Sequence, residues 1–391
     1  MPSGRRLHKP TLQEIVFLGC GFAAKYPEGG GNFSVPLQYA AGLRRCGRAF
    51  RWLELLPSCG DPLEDARRIR VFTRRMGYYG LKENYALLLN RGAEFEPSWD
   101  HVEVHGISRA RLLEEVRAGI LLNLSYSIRP PILQDFSRRI FINLDPSEIG
   151  YYMQQFELGQ SHHHAFWTVA LNVNGPDCRL PDLGIRWRTF YPPVDTARIR
   201  PQPVPPRFKF TTVGQWYWHG HLEIDGVAAD YSKRARFLPY MNLPRLVPGA
   251  EFEMAMNMGA DDPEAERIRS HGWRLVFPHS VAKTPQKYLA YLTKAAAEFT
   301  PAKVDDITRT GWLSDRAAVF LALGRPVVTV STAAEPHLPG ESGFVFVSDL
   351  PSAVEACRRV VCDWPHLARA ARRTAVELFD AEANLRSILR S

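Results

Sequence analysis

Short, nearly continuous apolar runs that stop in glycine alternate along this chain with stretches of helical periodicity. Leu12–Gly21 (LQEIVFLGCG) is the first such run and predicts a buried strand. A loop over Phe22–Asn32 follows (FAAKYPEGGGN), then an amphipathic helix from about Val35 to Arg45 ending at Cys46-Gly47, then a second strand, Phe50–Leu56. Strand, glycine-rich loop, helix and strand open a Rossmann-like domain. The Gly29-Gly30-Gly31-Asn32 stretch is too long for a simple turn and reads as a flexible loop lining a cleft. Asp61–Glu96 is helical in pattern and resists further division. Beyond it come a short strand at His101–His105, a helix at Ser108–Ala118, and buried strands at Gly119–Ser125 and Ile140–Leu144.

The same grammar restarts after Arg198–Phe208, where four prolines fall within the six residues from Pro201. Such a segment is a stiff extended connector. Residues 1–200 therefore read as one domain, 201–208 as the linker and 209–391 as a second domain, whose last helix can pack back on the first. In the second domain the pattern predicts strands at Lys209–Val213, Glu251–Met256 and Trp273–Phe277, and helices at Asp262–His271 and Thr284–Ala296. The segment Arg309–Ser331 predicts a glycine-containing loop, a helix over Ser314–Leu323 capped by Ser314, a stop at Gly324 and a strand at Pro326–Val330. A helix start flanked by Arg309 and Arg316 suits an anionic phosphate. The fold class is α/β, two facing Rossmann-like domains with a cleft between them.

Composition narrows the function. A chain that is 45% hydrophobic and 23% charged is globular, not disordered. No apolar run approaches the length of a membrane span, and the N-terminus lacks the core of a signal peptide, which predicts a cytoplasmic protein. The six cysteines are scattered without zinc spacing and read as reduced thiols, and neighbouring histidines at 162–164 diverge too far to share one metal. The formal charge of +8 favours anionic partners, but it is spread in arginine pairs, so a dedicated nucleic-acid module is a weak reading. Gly19 and Gly21 lack the third glycine of a dinucleotide fingerprint, which demotes an NAD-dependent enzyme. Asp145, at a strand end, and His163 and His164 are candidate catalytic groups; capping of the next helix is the plainer role for Asp145, and packing for the histidines.

Several strings carry a resemblance: Phe210-Thr211-Thr212-Val213-Gly214, Pro301-Ala302-Lys303, Arg309-Thr310-Gly311-Trp312-Leu313-Ser314-Asp315-Arg316, Gly324-Arg325-Pro326-Val327-Val328 and Leu338–Gly343, with Asn143–Pro146 and Leu180–Trp187 in the first half. The chain resembles GT-B glycosyltransferases, and within them a bacterial nucleotide-sugar-dependent group. The resemblance implies a hexosyl- or other glycosyltransferase taking a nucleotide-diphosphate sugar such as a UDP-sugar as co-substrate and a small-molecule acceptor, natural-product or nucleoside-like, with no metal and no further cofactor. It places Thr211, Thr212, Gly214, Trp216, Lys233, Lys303, Arg309, Thr310, Gly311, Trp312, Ser314, Asp315 and Arg316 around the donor, Trp216 or Trp312 stacking on base or sugar, and Gly21, Asn32 and Phe33 around the acceptor. Two departures stand out. Val319 occupies the position of the donor-ribose glutamate of retaining members, and Cys20-Gly21-Phe22 the place of the inverting members' histidine. Both stereochemical outcomes stay open, as do the oligomeric state, a homodimer included, and two alternatives: a nucleic-acid-binding or regulatory protein on a degenerate scaffold, and a nucleotide-sugar epimerase.

Overall fold

The computed structural model describes residues 14–218, 221–259 and 261–390, so Leu12 and Gln13 of the first predicted strand and His219 of the aromatic patch lie outside the described residues. The N-terminal half builds β1 (Val16–Cys20), α1 (Gly30–Arg45), β2 (Phe50–Pro57), α2 (Pro62–Tyr78), β3 (Tyr85–Asn90), β4 (Val102–Gly106), α3 (Arg109–Arg117), β5 (Ile120–Leu124), β6 (Arg138–Asn143), α4 (Pro146–Gln155), β7 (Ala165–Thr168) and β8 (Trp187–Thr189). These strands form one eight-stranded sheet in the order β4-β3-β2-β1-β5-β6-β7-β8, parallel except for the β3–β4 pair. Its central strands are buried throughout, as their unbroken apolar runs require when helices cover both faces.

The C-terminal half builds β9 (Lys209–Gln215), a hairpin of β10 (Leu222–Ile224) and β11 (Val227–Ala229), α5 (Lys233–Phe237), α6 (Leu243–Leu246), β12 (Glu251–Asn257), α7 (Pro263–Ser270), β13 (Arg274–Val276), α8 (Pro278–Ala282), α9 (Pro285–Thr293), β14 (Ala297–Thr300), α10 (Asp305–Thr308), α11 (Asp315–Ala322), β15 (Val327–Val330), β16 (Phe344–Val347), α12 (Leu350–Cys362), α13 (Trp364–Leu378) and α14 (Ala381–Leu389). Six of its strands make a parallel sheet in the order β13-β12-β9-β14-β15-β16. The helix expected over Thr284–Ala296 ends at Thr293, and Ala297–Thr300 is a central strand of this sheet. The undivided stretch after Asp61 resolves into α2, capped by the Asp61 side chain, and the wholly buried β3.

The chain crosses between the halves twice. Val194 and Phe379 exchange a backbone bond of 2.8 Å, and Ala381 returns one of 2.9 Å to Val194, so the two crossings run together. Beyond the second crossing, α14 packs on α1 and contributes Leu385 and Ile388 to the N-terminal core. The proline-rich connector is anchored by Arg325, buried over the Trp364 ring, whose guanidinium donates to the carbonyls of Gln202 (3.1 Å) and Pro203 (2.7 Å).

The glycine-rich segment is not a flexible loop. Helix α1 begins at Gly30, five residues earlier than its apolar periodicity suggests, and its first turn presses on the C-terminal half. A Cβ on Gly30 would stand 2.4 Å from the carbonyl oxygens of both Ala282 and Thr284, closer than side-chain carbons approach backbone. Glycine is needed here for close approach of two backbones. Gly30→Ala therefore loses stability despite alanine's better helix propensity, by about 1–2 kcal/mol net, within the usual range for overpacking. An unchanged urea midpoint would show that the halves part without cost.

Candidate active site between the domains

The carboxyl ends of the two sheets face each other, and the segment after β14 bridges them. Its Lys303 reaches Asp145 at 3.2 Å and Glu148 at 3.3 Å, both beyond the end of β6. Asp305 is buried and accepts from the Ser147 hydroxyl (2.7 Å) across the boundary and from Thr310 (2.9 Å) in its own loop. Trp312 donates from Nε1 to the Leu144 carbonyl at 3.2 Å, and Asn172 binds the backbone of Arg309 and Thr310. Gly311 has φ +71, and a Cβ there would lie 2.8 Å from the Asn172 nitrogen, which explains a glycine in the middle of the seam.

Asp145 does not cap α4. Its carboxylate makes no cap bond and turns to Lys303 instead, with 44% of the side chain still exposed to the cleft. Burial opposes the charge on Lys303, but Asp145 and Glu148 outweigh it and hold the ammonium above its usual pKa.

A second group of charges lies on the C-terminal side. Arg316, in the first turn of α11, pairs with the fully buried Glu298 of β14 and donates to the Val213 carbonyl (2.7 Å) and the Thr300 hydroxyl (2.9 Å). Burial works against this guanidinium, and Glu298 restores it to above its ordinary value, so the pair is ionic. Lys233, at the start of α5 behind its Ser232 cap, sends Nζ to the Pro301 carbonyl at 2.5 Å. Burial, with Arg316 second, lowers its pKa to about 7. Asp315 is raised to about 7, first by burial and then by Asp145, and its Oδ1 has no hydrogen-bond partner among the described residues. Ser314 caps α11 by accepting from the Ala317 amide at 3.0 Å.

Other candidates are placed differently from their expected roles. Thr211 and Thr212 are buried in β9, and a Cβ on Gly214 would lie 3.8 Å from Cγ of Lys233. Trp216 is fully buried in the core beside Phe237 and cannot stack on a ligand; Trp218 stands near the cleft instead, 44% exposed, with Lys303 Nζ 5.5 Å from its ring centroid and its Nε1 bonded to the Tyr231 hydroxyl. Arg309, with φ +53, turns outward 3.7 Å from Asp177, away from the start of α11. Phe33 is a core residue stacked on Trp52, whereas Asn32 is exposed in the first turn of α1 and Gly21 packs against Ser127.

The histidines are structural. His163 is buried with Nδ1 on the Gly159 carbonyl (2.6 Å) and Nε2 on Asn123 (3.1 Å), and burial lowers its pKa to about 4. His164 has both ring nitrogens on Arg139. Neither ring has a nitrogen free to take a proton from a substrate, so of the three catalytic candidates only Asp145 stands in the cleft. Sequence reasoning missed Glu148, Glu298, Thr300 and Asp305. A lone acid in an apolar run, as in Ala297-Glu298-Phe299, was the available signal, since a buried carboxylate needs a cation. Val319 lines an apolar cavity of about 270 Å³ between α1, α9 and residues 195–199, walled by Leu37, Ile199 and Leu289.

No family model matches the chain, and no curated protein matches it. Solved structures do. An α-glucosyltransferase in complex with UDP and a 13-mer DNA containing a central A:G mismatch aligns with TM-score 0.58 at 12% identity over 96% of this chain and 98% of that one. AviGT4, a glycosyltransferase involved in avilamycin A biosynthesis, aligns with TM-score 0.54 at 15% identity over 97% and 96%. A trehalose-6-phosphate structure from E. coli bound with UDP-2-fluoro glucose aligns with TM-score 0.54 at 12% identity over 96% and 98%. The fold is GT-B. At these identities the likeness carries the architecture, and the GT-B cleft is where the two charged groups lie.

Two stability predictions follow from the geometry. Arg316→Ala strands Glu298 without a counter-charge and costs about 3–5 kcal/mol, while Arg316→Met combined with Glu298→Gln recovers most of the loss; urea melts of the single and double variants measure this. His163 folds neutral, so the unfolded chain binds its proton first as pH drops. Stability is lost from about pH 6.5 down to about 4, by about 3 kcal/mol. His163→Gln should flatten that limb, and an unaltered limb would assign it to other groups.

Proposed function

We propose that this chain is a glycosyltransferase that moves a sugar, a hexose in the simplest case, from a nucleotide-diphosphate sugar to a small-molecule acceptor. The observation that carries the reading is the enclosed pair Lys233 and Arg316 beside the start of α11, at the carboxyl edge of the C-terminal sheet. Two cations and a helix N-terminus supply the positive charge that a departing nucleoside diphosphate needs. The solved structures with the same fold include complexes with UDP and with UDP-2-fluoro glucose, which supports a nucleotide-sugar donor.

The acceptor hydroxyl would meet Asp145, the exposed carboxylate of the cleft. As the bond from the anomeric carbon to the diphosphate oxygen breaks, that oxygen leaves with the electron pair. The acceptor oxygen forms the new bond and passes its proton to Asp145. Lys303 holds the Asp145 carboxylate in place through its 3.2 Å contact. The α-glucosyltransferase neighbours are complexed with DNA. Here Arg67 pairs with Glu28 and Glu64 and Arg45 with Asp380 and Glu382, so part of the positive charge is already compensated, which favours a small acceptor.

Lys233→Ala should weaken UDP roughly 10- to 100-fold by calorimetry, the effect of one charge-assisted bond, and Arg309→Ala should change it less than about threefold. Because Lys233 binds a phosphate only when protonated, UDP affinity should be greatest below pH 7 and fall above it, by up to about tenfold per unit. Equal affinity at pH 6 and pH 9 would remove Lys233 from the donor site. Asp145→Asn should lower kcat about 10²- to 10⁴-fold with UDP affinity retained; full turnover by that variant would mean that another group takes the proton.

A further inference from the structure

One guanidinium at the carboxyl edge of the N-terminal sheet has no carboxylate of its own. Arg129 lies five residues beyond the end of β5, and among the described residues it forms no ion pair. Its hydrogen bond to the Glu94 carbonyl is long, 3.5 Å, and the Glu94 carboxylate is taken by Lys25 at 3.8 Å. Two rings hold the charge instead, with Cζ 4.4 Å from the centroid of Phe95 and 5.4 Å from that of Tyr126. Aromatic contacts stabilise a guanidinium through its flat face and leave the in-plane N–H fork free for a planar or tetrahedral oxyanion. Burial lowers the Arg129 pKa, with Tyr126 and Glu94 opposing it.

The surrounding chain is shaped for this. Ser125 and Tyr126 are consecutive non-glycine residues in the left-handed region, φ +47 and +49, a conformation retained where side-chain aim outweighs backbone ease. The loop is packed on the end of β1, where a Cβ on Gly21 would lie 3.3 Å from Ser127. Phe95 is 69% exposed, a large apolar ring presented to solvent at the rim. Tyr126 also connects Arg129 to the chemistry. Burial first, then Glu148, and to a lesser degree Asp145, raise its pKa, so it lies within electrostatic reach of both acids.

We propose that the acceptor is an acid: a small molecule whose carboxylate or phosphate is bound by the Arg129 fork between Phe95 and Tyr126, while its hydroxyl reaches Asp145. This rests on the glycosyltransferase reading and names its substrate class. The oxyanion distinguishes the acceptor from a neutral alcohol of the same shape, because a neutral molecule leaves the half-buried Arg129 without an ion-pair partner.

The test uses matched probes on the full chain, with UDP present: glucose 6-phosphate against glucose, and 4-hydroxybenzoate against 4-hydroxybenzyl alcohol. Calorimetry should show the acid of at least one pair binding roughly tenfold or more tighter than its neutral partner. Arg129→Gln should bring the two within about threefold, Arg129→Lys should recover part of the preference, and Phe95→Ala should weaken the acid without altering UDP affinity. A carboxylate that binds where the phosphate does not, or the reverse, identifies which oxyanion the fork takes. Equal binding within both pairs, failure of both acids to bind at millimolar concentration, a preference that survives Arg129→Gln, or an oligonucleotide that binds through Arg129 in place of the small acids would overturn the proposal. Wild-type protein that fails to bind UDP would instead sink the glycosyltransferase reading, with acid binding at Arg129 still read directly by the same titrations.

Discussion

A buried carboxylate, Asp305, joins the two halves of this molecule. Alone it would be expensive to enclose, and burial does push its pKa upward, but hydroxyls from Ser147 and Thr310 and the charge of Lys303 offset part of that cost. Because Ser147 belongs to one domain and Asp305 to the other, this satisfaction exists only when the sheets are apposed. The rest of the seam inherits its geometry. Lys303 precedes Asp305 by two residues and falls on Asp145 and Glu148; Trp312 follows by seven and falls on Leu144. The cleft is shaped by short-range hydrogen bonds with fixed partners, reinforced at Gly30 by backbone contact with Ala282 and Thr284.

Within that frame the site separates its charges. Arg316 is committed to Glu298, Val213 and Thr300, so it is rigid and contributes a fixed field. Lys233 has only the Pro301 carbonyl and a distant Thr300 hydroxyl, and its proton is weakly held. Preorganised charge and exchangeable charge are different resources: the first needs no rearrangement when a leaving group develops negative charge, and the second responds to the ligand's arrival. On the opposite wall, Asp145 pairs with Lys303, and among the described residues Arg129 has two aromatic rings in place of an ion pair. The two walls of the cleft thus differ in how their charges are compensated.

The architecture was legible because both domains are written in local patterns. Apolar runs such as Val16–Cys20 and Val327–Val330, the Ser314 cap and the proline-rich break at 201–208 are decided by neighbours in sequence. The site was less legible because its partners are distant in sequence. His163 is silenced by Asn123 and Gly159, and no feature of the triple-histidine string reveals that. Trp216 and Trp218 stand in the same aromatic cluster, and only packing against Phe237 decides which ring enters the core. Glycines 29–31 read as a loop because glycine is usually there for flexibility, whereas Gly30 is there because another backbone approaches it.

Val319 becomes coherent once its surroundings are considered. A glutamate reaching the donor ribose from α11 would need a polar environment along that face of the helix. In this chain the face packs instead against α1, α9 and the crossing at residues 195–199, and Gln38 of α1 accepts from the Asp195 amide at 2.8 Å to close the junction. Val319 shares its cavity with the apolar side chains of Leu37, Ile199 and Leu289, and Arg44 and Arg198 line the same space. The acidic character of α11 is found one turn earlier, at Asp315, whose carboxyl is raised first by burial and then by Asp145. A phosphate arriving at the same helix start adds to that repulsion, so donor binding and protonation of Asp315 are coupled in sign: each favours the other.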